Sequence, residues 1–458
     1  MLGALSMSAI YTSRRHLLAL TLLTLAGVLM HQPSKSSEPL INVVLGDIEG
    51  QRERLDSVIT NSDAFDLDPE GHPSIKPGYR FIFMGDAVDK GPDAFYILET
   101  LNHFHQTQPD QVVSILGNRD INKLRLPHEL SPEGLNQEPN EDAASQKFVD
   151  WLEDQSLPRS LFNDGVTRLK WILDKTMGAP QAFEFRRQAL AKTNTTIDSD
   201  KVILDSFLRD LTPKSGIMSK FLQNAQLAFL DRNNRALFVH GGLTIESFGF
   251  IPNIKSKVPT IDQWVEELNR WAQNQISSGI ANKDGAPELV KYQQPIPGTR
   301  ANNASIVYGR NFDATANPEL IPENLQNELL QQGVDTLVVA HTPVGEIPVI
   351  IANDKFRIIF VDNSTSSQKI SSIVTMNKGV IEVRGPSPSK EFAQAISYRH
   401  KIGMETSVGQ HRDNGWVIAT TQEKELRFKI IMKEGFNIEY TIDTILPSSI
   451  KCRRTLKN

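Results

Sequence analysis

"YRFIFMGDAVDKGP", Tyr79 to Pro92, is the stretch on which the fold turns. Its first half is a run of aromatic and branched residues too short for a helix and closed by a glycine, the pattern of a strand buried on both faces. Its second half is a polar turn crowded with Gly85, Asp86, Asp89, Lys90 and Gly91. The same device occurs once before it, in "LINVVLGDIEG" (Leu40 to Gly50). It recurs three times after it, in "QVVSILGNRD" (Gln111 to Asp120), "RALFVHGG" (Arg235 to Gly242) and "DTLVVAHTPVG" (Asp335 to Gly345). Helical patterns follow the first two, "QRERLDSVITN" and "PDAFYILETLNHF", so strands and helices alternate as in an α/β domain. Sheets of that kind bind ligands beyond the carboxyl ends of their strands.

The residues at those ends are Asp47 and Glu49, Asp86 and Asp89, Asn118, Arg119 and Asp120, His240, and His341. One aspartate at a strand end is ordinarily a turn former or a helix cap. Five tips brought together by neighbouring strands would instead converge carboxylates, an amide oxygen and two imidazoles. That mixed oxygen and nitrogen set suits Mn, Fe, Zn or Mg.

The ordered blocks Gly-Asp-x-x-Gly, Gly-Asp-x-x-Asp-x-Gly, Gly-Asn-x-Asp, His-Gly-Gly and His-Thr-Pro resemble the calcineurin-like metallophosphoesterases. Within them the likeness is to the branch of serine/threonine protein phosphatases and diadenosine tetraphosphatases, and it covers Leu40 to Ser366. It implies an α/β metallophosphoesterase fold of two packed mixed β-sheets flanked by helices. It also implies two divalent ions, with Asp86 bridging them, Asp47 on the first, and Asn118, His240 and His341 on the second. Lys90 falls where the family has a phosphate-gripping arginine, and keeps the charge without the bidentate fork. Asp89, Arg119 and Asp120 are expected beside the reacting phosphate. Arg310, in "SIVYGRNFD", is a second phosphate-binding candidate, against a rival reading as half of a structural salt bridge.

Two positions depart from the family. Glu49 replaces a histidine in the first block, and either ligates the first ion through oxygen or turns away. Arg119 replaces the histidine that would protonate the leaving oxygen; an arginine cannot give up a proton near neutral pH, but it can offset developing charge. Arg119 could also pair with Glu49. The expected activity is attack of a metal-bound hydroxide on a phosphomonoester, with phosphotyrosine and other good leaving groups favoured over phosphoserine. A dinucleoside polyphosphate or nucleotide substrate is the alternative, and phosphate binding without hydrolysis is a third.

Length and composition bound these readings. The chain has 458 residues and a formal net charge of −5, which gives no basic field for nucleic acid. Its one cysteine, Cys452, excludes an internal disulfide and a thiolate zinc cluster. Residues 1–39 carry two arginines, an apolar run from Leu17 to Met30 and a polar stretch, the order of a signal peptide or signal anchor, with a buried N-terminal helix as the other reading. An exported protein, membrane-attached through that segment or free, is expected. The phosphoesterase domain is assigned to 40–370, with a helical insertion over about 128–235 and a second over about 243–303. Residues 371–458 are expected as a β-rich extension packed on the core. No oligomerisation signal is visible, so a monomer acting on a phosphorylated protein or small phosphorylated substrate is expected.

Overall fold

The computed structural model describes residues 38–445 except 143, 194, 314–316, 364–368, 390–392, 413–414 and 435–436. The apolar N-terminal run and Cys452 lie outside the described residues. In chain order the early strands are β1 (Ile41–Leu45), a hairpin of β2 (Phe65–Leu67) and β3 (Pro73–Ile75), β4 (Tyr79–Phe83) and β5 (Val112–Ser114). After a long helical stretch come β6 (Ala228–Asp231), β7 (Ala236–Val239), β8 (Thr336–Val339), β9 (Val349–Ala352) and β10 (Arg357–Phe360). The last are β11 (Ile373–Asn377), β12 (Val380–Pro386), β13 (Ala395–His400), β14 (His411–Arg412), β15 (Gly415–Thr420), β16 (Glu425–Glu434) and β17 (Asn437–Ile445).

Two mixed sheets form the centre. The first has the order β13-β12-β11-β1-β4-β5, and β1, β4 and β5 run parallel. The second has the order β6-β7-β8-β10-β9, and β7, β8 and β10 run parallel. The parallel strands are covered on both faces, which is why they read as continuous apolar runs rather than alternating ones: Phe81, Ile82 and Phe83 of β4 are all fully buried. Polar ties join the two sheets. Asn42 on β1 donates to Asp231 at the end of β6 at 2.5 Å. The fully buried Arg357 on β10 donates to the carbonyls of His400, at 3.1 Å, and Gly379, at 2.7 Å.

Helices flank the sheets. α1 (Arg52–Asn61) and α2 (Ala94–Thr107) follow the first two polar tips, and the short α3 (Asn118–Asn122) starts at the third. Further helices, among them Phe148–Asp154, Gly165–Trp171, Ala182–Lys192 and Asp200–Asp210, fill the stretch before β6, with a π-helical turn at Ile172–Thr176. The helix Ile261–Asn282 lies against β6, where the Asn269 side chain accepts from the Leu227 and Ala228 backbone N–H groups at 2.9 and 3.1 Å.

The C-terminal part corrects one expectation. β11 pairs antiparallel with β1, so β11, β12 and β13 complete the first sheet instead of lying on the core as an extension. Of the C-terminal strands, β14 to β17 form a separate antiparallel sheet. The alternation and the Asn-Lys-Gly turn of this region specify hairpins, but nothing local specifies which sheet they join.

Candidate metal centre

Because β1, β4 and β5 are parallel, and β7, β8 and β10 are parallel, their carboxyl ends gather the polar tips. The His240 Nδ1–H donates to the Met84 carbonyl at 2.7 Å, which locks the end of β7 to the end of β4. The first two tips are laced by backbone bonds, Glu49 N–H to the Asp86 carbonyl at 2.9 Å and Lys90 N–H to the Glu49 carbonyl at 2.7 Å. Glu49, Asp86, Asp89 and His341 hold φ values of 48°, 54°, 99° and 66°. Non-glycine residues there cost roughly 1–3 kcal/mol each and persist only where the surroundings over-determine them, as these bonds do. Gly117 leaves no choice of side chain, since a Cβ would lie 2.2 Å from Asp86 Oδ1.

Asp86, His240 and His341 each offer a ligand atom within 4.8 Å of the others. A carbonyl can only accept, so the Met84 bond fixes the proton of His240 on Nδ1 and turns the Nε2 lone pair inward. That atom lies 3.2 Å from Asn118 Oδ1 and 3.5 Å from Asp86 Oδ1. His341 Nε2 is buried with no hydrogen-bond partner among the described residues. Burial holds both imidazoles below their ordinary pKa, His341 by more, with Arg310 and His240 adding to the effect. Two neutral imidazoles, a carboxylate and an amide oxygen fit a divalent transition ion.

The acidic side is organised differently. Burial, then Asp362, Asp86 and Glu49, push the Asp47 carboxyl well above its usual range. Asp47 Oδ1 lies 3.4 Å from the His341 N–H. Asp362 was not singled out from the sequence. It follows β10, where a Cβ on Gly46 would stand 2.2 Å from the Val361 carbonyl oxygen and 3.2 Å from the Asp362 Cα, so the two tips abut. "RIIFVDN" is a sixth apolar run with a polar tip, here an aspartate, and that signal could have found it.

Glu49 is not in the histidine cluster. Its Oε1 takes the Arg119 Nε at 2.9 Å and the Lys90 Nζ at 2.7 Å. Burial would raise its pKa, but these two cations outweigh burial and hold it low. Arg119 also places its backbone N–H on Asp86 Oδ1 at 2.9 Å, its Nε 3.4 Å from Asp86 Oδ2, and its Nη1 on the Met177 carbonyl at 2.6 Å. Asp120 accepts the backbone N–H groups of Asp86, Ala87 and Gly117 at 2.9, 3.0 and 2.9 Å, stitching two tips together. Burial, then Asp86, nonetheless raise its carboxyl to about 7.

Asp89 forms a buried ion pair with Lys123 at 2.5 Å. Lys123, four residues after Arg119 on the same helical turn, was also missed; that spacing was the available signal. Arg310 donates to the Arg300 carbonyl at 2.7 Å and to Thr342 Oγ1 at 2.6 Å. It stands 5.4 Å from the Tyr308 ring, whose edge meets His341 at 4.5 Å. Arg310 makes no ion pair among the described residues, and the Asp362 charge acts on it without a contact pair.

The family model described as calcineurin-like phosphoesterase matches residues 43–345. The crystal structure of a cold-active protein-tyrosine phosphatase of a psychrophilic Shewanella is similar over 75% of this chain and 77% of that one, with 14% identity and a TM-score of 0.42. A protein serine/threonine phosphatase from Saccharomyces cerevisiae is similar over 83% of each chain, with 12% identity and a TM-score of 0.35. Among curated proteins, the extracellular matrix-binding protein ebh of Staphylococcus aureus (strain MW2) is 27% identical over 200 residues, 43% of this chain. The chain spans only 2% of that protein's length.

Proposed function

The chain belongs to the calcineurin-like phosphoesterase family, and from that premise we propose that it is a metal-dependent phosphatase cleaving phosphomonoesters with good leaving groups, phosphotyrosine among them. One observation carries the proposal: Asp86, His240 and His341 converge at the ends of parallel strands, beside the part-buried Arg310, which makes no ion pair among the described residues. The family normally binds divalent metals, and Asp86, His240, His341 and Asn118 would hold an ion here. Such an ion supplies Lewis-acid charge and a nucleophile at neutral pH.

The chain's own residues supply the rest. Met84 orients His240, and Asp120 fixes the turn that presents Asp86. Arg310 and Lys90 are assigned to the phosphoryl oxygens. The Arg119 guanidinium, whose pKa Glu49, Asp86 and Asp89 raise further against the effect of burial, keeps its proton at any working pH. It therefore stabilises charge without acting as general acid, a loss that costs typically 10²- to 10⁴-fold and falls hardest on alkoxide leaving groups. On the N-terminal charge pattern we also assign the protein to the exported fraction, as a monomer acting on phosphorylated proteins or small phosphate esters.

Turnover of p-nitrophenyl phosphate, phosphotyrosine peptide, phosphoserine peptide and diadenosine tetraphosphate with Mn tests this. Hydrolysis of the aryl ester and phosphotyrosine, abolished in Asp86→Asn, is expected. A clear preference for the tetraphosphate would move the substrate to anhydrides, and no hydrolysis of any would make the site a phosphate receptor.

A further inference from the structure

Resting on the metal-dependent reading above, we infer that the centre takes one divalent ion per chain, with the Arg119 guanidinium as a fixed cation in place of the other ion that the motif resemblance implies. The side of the site that would hold the first ion does not fit one. Its non-aspartate ligand, Glu49, is buried and committed through Oε1 to two cations, Arg119 at 2.9 Å and Lys90 at 2.7 Å. Arg119 is itself held at three points: backbone N–H on Asp86 Oδ1, Nε beside Glu49, and Nη1 on the Met177 carbonyl. Its Nε lies 2.9 Å from Glu49 Oε1 and 3.4 Å from Asp86 Oδ2, and so stands between the two carboxylates that an ion there would have to share.

The other oxygen of Asp86 accepts the Arg119 backbone N–H but faces the imidazoles rather than the guanidinium. Oδ1 is 3.5 Å from His240 Nε2, and the partnerless Nε2 of His341 completes the cluster. Asp86 thus divides its two oxygens between an organic cation and a metal position. Charge bookkeeping agrees: replacing one histidine by glutamate adds a negative charge, replacing the other by arginine adds a positive one, and the two neutralise each other at contact distance. A dication brought to the Glu49 side would face the guanidinium and the Lys90 ammonium at a few ångströms, where like charges repel strongly in a buried site. Asp47 would be left as its main ligand.

Metal content by inductively coupled plasma mass spectrometry, on full-length protein loaded with excess Mn and then desalted, decides the matter. One ion per chain is expected for the wild type. None is expected for Asp86→Asn, and two for the double variant Glu49→His with Arg119→His. Arg119→Met, which removes one of the two cations on Glu49 and places no oxygen or nitrogen ligand, is expected to gain a second, weaker ion by Mn titration. Two ions in the wild type, or none, would overturn the inference, as would a folded double variant that still holds one. Failure here is separable from failure of the phosphatase reading: two ions with hydrolysis leaves that reading standing, and one ion without hydrolysis leaves this one standing.

Discussion

Arg310 shows what a single side chain reveals by its company. Its guanidinium donates to a backbone carbonyl and the Thr342 hydroxyl and makes no ion pair among the described residues, and burial pulls its pKa down against the pull of Tyr308 and Asp362, so an anion at that position is favoured. Arg310→Ala is expected to lower kcat/KM for p-nitrophenyl phosphate by about 10²-fold, the usual effect of removing one charge-stabilising donor. Arg310→Lys should recover part of it. Steady-state kinetics check this, and a change under about threefold would remove Arg310 from the phosphate site. At this scale much was legible. Asp47, Asp86, Asn118, His240 and His341 are tip residues, and a tip is announced by the apolar run before it. What could not be read was orientation. The sequence leaves Glu49 free to face an ion or a cation, and the choice is made by Arg119, which is 70 residues away.

Elements carry a second prediction, in acid. His105 on α2 sits 2.9 Å from the Ser114 hydroxyl on β5, and His400 on β13 lies 3.1 Å from Arg357 on β10. Burial lowers both imidazoles to about 4, with Arg357 assisting at His400. Between that value and the ordinary 6.5 the folded state binds fewer protons than the unfolded state. The stability these groups contribute is therefore complete above pH 6.5 and is lost as pH falls toward 4. Each contributes up to about 3 kcal/mol. Urea unfolding at pH 7 and pH 5 should show the midpoint falling, and a His105→Gln variant should flatten part of the slope. An unchanged slope would show that these contacts do not govern the acid limb. Element identity was readable for the same reason that these sites are buried: runs such as "RALFVHGG" have no polar face. Pairing was not. The register of β1 with β11 joins Val43 to Thr375, and no local pattern encodes a partner so distant in the chain.

For the whole molecule, the strand ends are a store of unfavourable charge that an ion relieves. Asp362 and Asp86 crowd Asp47, and burial together with these carboxylates drives the Asp47 carboxyl pKa upward. Anything that binds the folded state alone stabilises it by mass action, roughly 2.7 kcal/mol at a hundredfold excess over Kd. Removing divalent ions with EDTA should lower the thermal midpoint by a few degrees relative to Mn-loaded protein, read by differential scanning fluorimetry. Asp86→Asn should abolish the difference; a midpoint indifferent to EDTA in the wild type would argue against a resident ion. The helical stretch between α3 and β6 enters the same centre. Its Met177 carbonyl takes the Arg119 Nη1, and its Met177 sulfur lies 3.3 Å from Lys123 Nζ. Arg119 and the helical stretch are thus interlocked parts, and grafting the "GNRD" turn onto a scaffold without that stretch would strand a buried cation. The turn and the helical stretch therefore have to be transplanted together for Arg119 to keep its Met177 acceptor.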